Sequence, residues 1–264
     1  MAAALPLTSL AQASDPAGSA VRRLRLSLAD GALTTAYVLA RDAGDTEVRV
    51  VVLRGQQRLE PYCVRRGVQD AIVGGFFTRA ERQPLGEVRT RGVARRHVAF
   101  LAPHGARRAC VHVAGGTPRI ASRGDIAAEP RGDLLQAGPL LVRDGVAIYD
   151  RTGDPEGFSA GAAQFDSDVT LGRHPRAALG ITAHGRLLAV ACDGRSRADA
   201  GLTLEELAAL LAGLGARSAI NLDGGGSTSL VAGGRLRNRP RGGWERPEPG
   251  GRPVSTALLF VPRR

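Results

Sequence analysis

The chain of 264 residues is long enough to bury a substantial core, and its 43% hydrophobic content is that of a globular protein. Its formal charge is +11, yet lysine is absent and every basic residue apart from histidine is an arginine, which excludes a Walker phosphate loop and Schiff-base chemistry. The arginines are scattered and aromatic residues make up only 4%, so nucleic acid is not expected as a partner; no apolar run is long enough to span a bilayer.

Residues 1–20 read as a secretory-signal remnant or a disordered arm. A short apolar stretch precedes Ala11-Gln12-Ala13, an A-x-A cleavage pattern, but no basic leader precedes it. On the first reading the protein is secreted or periplasmic, with 21–264 as a single domain. Short apolar runs punctuated by Gly, Pro and Asp then predict many strands and few helices. The runs are 48–53, 71–76, 97–101, 140–143, 177–182, 187–192, 219–222 and 256–261. Cys63, Cys110 and Cys192 lie far apart with no zinc spacing, and the sequence leaves one bridge or three buried thiols equally open. The histidines form no ligand pair, so no metal and no cofactor is expected.

Thr203-Leu204-Glu205-Glu206 fits a capping box, and Leu204, Leu207, Leu210, Leu211 and Leu214 recur at helical spacing before Gly215. A helix between the runs 187–192 and 219–222 predicts a βαβ unit with parallel strands. The expected fold class is therefore α+β, a strand-rich mixed sheet with few helices and one βαβ unit near the C-terminal third. Parallel strands end on one edge, which would bring Asp193-Gly194-Arg195 and Asp223-Gly224-Gly225-Gly226 together. The stretch 237–252, rich in Pro, Gly and Arg, reads as a long loop carrying Trp244, either a sugar-stacking ring or a loop anchor.

That rim has a chemistry. Successive glycines let a phosphate approach the backbone, and the amides of Gly224, Gly225 and Gly226 with the hydroxyls of Ser227 and Thr228 are candidate donors. Arg176 and Arg195 offer planar forks for two oxygens at once. Asp193 and Asp223 are candidates for the pair of carboxylates that flank an anomeric carbon in glycoside cleavage. A phosphate leaving group needs little protonation, so arginines and amides can replace much of a general acid's work.

The ordered motifs GGFF (74–77), QAGPLLVRDG (136–145), HPRAALGI (174–181), CDGRS (192–196), GLTLEELAALLAGLGARSAINLDGGGSTSLV (201–231) and RPVSTALLF (252–260) resemble the phosphodiester glycosidase family over about residues 70–262. Related bacterial proteins are commonly labelled exopolysaccharide-biosynthesis proteins. The resemblance implies hydrolysis of a sugar-1-phosphodiester on a glycan or cell-envelope polymer, with a sugar and a phosphate monoester as products. It points to Asp193, Arg195, Asn221, Asp223 and the glycines after it, Arg176, and Gly75 near Phe77. Asp223 is expected as nucleophile or base, Asp193 as acid or water-positioning partner, and Arg176 and Arg195 on phosphate. The chain departs from the family pattern at Val73, at Ala177 beside Arg176, and in a split E-R-P-V stretch where Gly251 precedes Arg252, which leaves the part played by Glu245 open. Two other readings use the same rim: a binder of phosphorylated glycans without turnover, and a phosphodiesterase that cuts the P–O bond. Oligomeric state is not legible.

Overall fold

The computed structural model describes residues 8–13, 21–78, 80–150, 154–159 and 169–263. Three antiparallel sheets carry the fold. The largest has eight strands in the spatial order Thr8–Ala13, Val21–Ser27, Leu33–Asp42, Arg186–Cys192, Arg176–Thr182, Ala216–Asn221, Leu140–Arg143 and Val146–Ala147. A second sheet runs Arg235–Leu236, Leu230–Ala232, Asp70–Val73, Val254–Pro262 and Thr46–Gln57. A third holds Val93–Ala94, Val88–Thr90, Asp133–Gln136, Ala109–Ala114 and Thr117–Ser122.

Period-two alternation gives the large sheet two apolar faces. Ala177, Leu179, Leu187, Ala189 and Ala191 join Val50, Ile72 and Leu258 of the second sheet and Val111 and Leu135 of the third in the main core. Their neighbours Ala178, Leu188 and Val190 turn the other way, against the Leu204–Gly213 helix. That helix starts with a complete capping box, in which Thr203 accepts from the Glu206 amide and Glu206 reaches back to the Thr203 amide. Such a cap contributes about 1 kcal/mol. Leu204, Leu207 and Leu211 are fully buried, each worth roughly 2 kcal/mol against exposure. Gly215 takes the left-handed conformation just past the helix, at φ 86°.

The helix connects its two strands differently from the expected βαβ unit. Arg186–Cys192 and Ala216–Asn221 are not neighbours, because Arg176–Thr182 lies between them and pairs antiparallel with both. The outer two therefore run in the same direction, one strand apart. Other expectations shift too. The segment 97–101 is irregular, because Phe100 leaves any ladder to pack with Phe76, Leu85 and Phe158. The 71–76 strand stops at Val73, and the long loop contains a small hairpin, Arg241–Gly243 with Arg246–Pro247. A helix at Leu59–Arg66 carries no side-chain cap and was not expected. Of the first twenty residues, Thr8–Ala13 pairs with Val21–Ser27 and the others lie outside the described residues. The three cysteines are buried free thiols, each pushed up to about 12 by burial. No helix among the described residues is long and apolar enough to cross a membrane.

Candidate active site

Strand register assembles the rim. Arg176 sits opposite Cys192, and Ala178 opposite Asn221, so Asp193, Asp223 and the start of the Arg176–Thr182 strand share one sheet edge. The second sheet meets it there: the Asp223 amide donates to Gly74 O at 2.9 Å and the Val73 amide to Ser229 O at 2.9 Å. Gly74 and Gly75 owe their identity to this crowding. A Cβ on Gly74 would collide with Thr256, and one on Gly75 would stand 2.7 Å from Gln136 O. Phe77 bridges Pro84 and packs against the main core.

Four amides of the glycine turn are held by the protein itself. Gly224 donates to Asp223 Oδ1 at 2.9 Å and Gly225 to Pro175 O at 2.8 Å, while the Ser227 and Thr228 amides close a tight turn onto Gly224 O and Gly225 O. These amides are committed to the protein. Gly225 and Gly226 also leave room for cations. A Cβ on Gly225, whose φ is +61°, would stand 3.0 Å from Arg195 Nη1, and one on Gly226 would stand 3.0 Å from Arg252 Nη2. Ser227 and Thr228 are buried, with hydroxyls that find no protein partner among the described residues.

Arg195 takes a left-handed backbone at φ 58°, strain of about 1–3 kcal/mol for a residue with a side chain. Its guanidinium contacts His174 Nδ1 at 3.3–3.4 Å and donates to Gly242 O at 2.8 Å. Arg195 and Arg252 thus stand at adjacent positions of the turn, and burial and then the charge of Arg252 hold the Arg195 pKa below the ordinary value. Such a pair favours an anion between them.

Arg176 belongs elsewhere. It is buried, and its guanidinium donates to three backbone carbonyls: Leu202 at 3.1 Å, Val169 at 2.7 Å and Gly172 at 3.2 Å. Burial pushes its pKa down to about 10. Its guanidinium straps together the segments that carry those carbonyls. Asn221 is also structural in part. Its Nδ2 donates to Gly138 O at 2.9 Å, fixing the Gly138-Pro139 turn beside the strand end.

The two aspartates differ. Asp223 is half-buried at the rim. Asp193 is only 1% exposed, and its carboxylate accepts from the Arg239 amide at 2.5 Å and from Tyr37 Oη at 3.2 Å. Burial pushes its pKa up to about 6, and that of Tyr37 up to about 12. Asp193 therefore grips the start of the 239–252 loop from within the fold. The loop returns over the glycine turn. The Glu245 amide donates to Arg195 O at 2.8 Å, and its carboxylate turns away to the Arg197 amide at 2.8 Å. Glu248 leans inward, with Cγ 3.2 Å from the place of a Gly226 Cβ.

A family model described as phosphodiester glycosidase matches residues 66–261. The chain belongs to the phosphodiester glycosidase family. The catalytic domain of zebrafish N-acetylglucosamine-1-phosphodiester alpha-N-acetylglucosaminidase, auto-inhibited by its pro-peptide, superposes with a TM-score of 0.68 at 20% identity, over 98% of this chain and 89% of that one. A hypothetical protein from Synechocystis gives 0.61 at 19% identity, over 92% of this chain and 62% of its own. These likenesses show the fold. The SPbeta prophage-derived uncharacterized protein YomE of Bacillus subtilis (strain 168) is 36% identical over 74 residues, 28% of this chain but 12% of that protein. This phosphodiester glycosidase chain thus spans a small part of that curated relative. Within the family frame, Tyr37, His174, Glu248 and Arg252 are neighbours of the rim that sequence reasoning did not pick out. Arg252 sits in the RPVSTALLF motif and was within reach; Tyr37 sits in a buried strand with no local signal.

Proposed function

We propose that the chain hydrolyses the glycosidic bond of a sugar-1-phosphodiester on a glycan or cell-envelope polymer, releasing the sugar and a phosphate monoester. The observation that carries this reading is the convergence of Arg195 and Arg252 on the glycine turn that begins at Asp223. Two guanidiniums suit the diester's phosphate, and the carboxylate beside them suits the anomeric carbon. In this reading Asp223 forms a bond to that carbon as the bond from carbon to the phosphate oxygen breaks. The electron pair leaves with the phosphate, which needs no proton because a monoester dianion is stable near neutral pH. Water then displaces Asp223 from the sugar. Asp193 is a positioning residue that holds the Arg239 loop over the site.

The test substrate is the 4-nitrophenyl diester of N-acetylglucosamine 1-phosphate, with the aryl glycoside as control. The proposal expects free sugar and 4-nitrophenyl phosphate, and label in the sugar when the reaction runs in heavy-oxygen water. Direct release of nitrophenol, or label in the phosphate, means P–O cleavage and overturns it. Saturable binding without turnover would assign the rim to a glycan binder.

A further inference from the structure

Glycosidase chemistry with an enzyme-bound sugar needs a second carboxylate, to take the proton of the incoming water. Asp193 does not fill that place, being buried under the Arg239 amide. Glu245 does not fill it either, since its carboxylate faces the Arg197 amide on the outer side of the hairpin. We propose that Glu248 is the second catalytic carboxylate, the base of the water step. This inference rests on the hydrolytic reading above and deepens it.

Three features place Glu248 there. Its Cγ lies 3.2 Å from where a Gly226 Cβ would stand, and its Oε1 fills the space where a Gly242 Cβ would be, so both glycines leave room for this side chain. Arg252 Nη2 lies 3.9 Å from Oε1, close enough to orient the carboxylate and too far to sequester it. The backbone is fixed on both sides, with the Glu248 amide on Pro240 O at 2.9 Å and the Gly251 amide on Glu248 O at 2.8 Å. The side chain is 35% exposed, open to water and to a ligand at the turn.

The step balances. Glu248 takes one proton from water as the water oxygen bonds to the anomeric carbon, the bond from that carbon to Asp223 breaks, and its electron pair returns to the Asp223 carboxylate. Because the phosphate departs without a proton in the preceding step, loss of Glu248 should stall only the water step.

Glu248→Gln and Glu248→Ala, verified as folded by circular dichroism and melting temperature, test this on the same nitrophenyl diester. The expected steady-state turnover is lower by about 10²–10⁴-fold, the usual contribution of a general base. A burst of 4-nitrophenyl phosphate equal to the enzyme concentration should remain, with a sugar adduct on the intact protein by mass spectrometry. Azide, which needs no base, should restore turnover of E248A and yield the glycosyl azide. Wild-type turnover in both variants, or loss of the burst along with turnover, overturns the role of Glu248 alone. A wild-type protein that leaves the diester intact overturns the hydrolytic reading and this role with it.

Discussion

The sheet edge and the loop that covers it contribute different things to one site. The edge, made of strand ends and the turn after Asp223, supplies a backbone held by register and by hydrogen bonds to Gly74 and Pro175. The loop 239–252 supplies charge, through Glu248 and Arg252, and is held to the edge by the Asp193 carboxylate and the Arg195 contacts. Position comes from the sheet, and two of the four charged groups of the proposed site, Glu248 and Arg252, come from the loop. Binding residues carried on loops over a rigid scaffold follow the same division.

The largest expected effect strikes the edge. Asp223→Asn should lower kcat by at least about 10³-fold while leaving the melting temperature near wild type, since a nucleophile acts on the chemistry rather than the fold. The next effect tests whether edge and loop share the phosphate. Arg195→Gln and Arg252→Gln should each raise KM for the diester by about 10–100-fold, the loss of a charge-assisted contact of roughly 1.5–3 kcal/mol, and leave the affinity for a neutral aryl glycoside unchanged. An equal loss on both ligands would show that the arginines hold the fold and not an anion.

Asp193→Asn tests the tether with two readouts of opposite sign. The folded-state pKa of Asp193 is raised to about 6 from 3.8, so the folded protein holds this proton more tightly than the unfolded chain. Its contribution to stability therefore falls as pH rises from about 4 to about 6, by a total on the order of 3 kcal/mol. D193N removes that cost and should melt higher than wild type at pH 8, with the difference vanishing near pH 4. Its turnover should nonetheless fall by about ten-fold, because a neutral acceptor grips the Arg239 amide less strongly. Lower stability at pH 8 would remove Asp193 as a strained tether. The smallest effect concerns the hairpin tip: Trp244→Ala should raise KM a few-fold, about the roughly 0.5–1.5 kcal/mol of an aromatic contact, with kcat intact.

The parts of this arrangement that were legible in the sequence are those with local causes. Thr203 and Glu206 announce their helix because a capping box is closed within four residues. Asp223 and its glycines announce a strand end meeting something close, but not that the close objects within the chain are the Pro175 carbonyl at Gly224 and the arginines Arg195 and Arg252 at Gly225 and Gly226. The setting of Arg176 was not legible, because nothing in the sequence reveals that the chain folds back so that the carbonyls of Val169, Gly172 and the more remote Leu202 surround its guanidinium. Glu245 and Glu248 sit three residues apart in one loop, and only the hairpin decides which faces inward. The parallel relation of the two strands flanking the helix was legible, but the strand between them was not, since connection length says nothing about what is inserted.

Trp244 is the sole tryptophan of the chain, 62% exposed at the tip of the hairpin whose carbonyls hold Arg195. Nearly all the ultraviolet emission excited at the red edge of protein absorption must then come from one indole, a few residues from the cation pair. If a ligand draws Arg195 off Gly242 O, any movement of that hairpin should appear in the colour and intensity of the emission without any added label. That single ring at the hairpin tip makes the protein its own optical gauge of movement there.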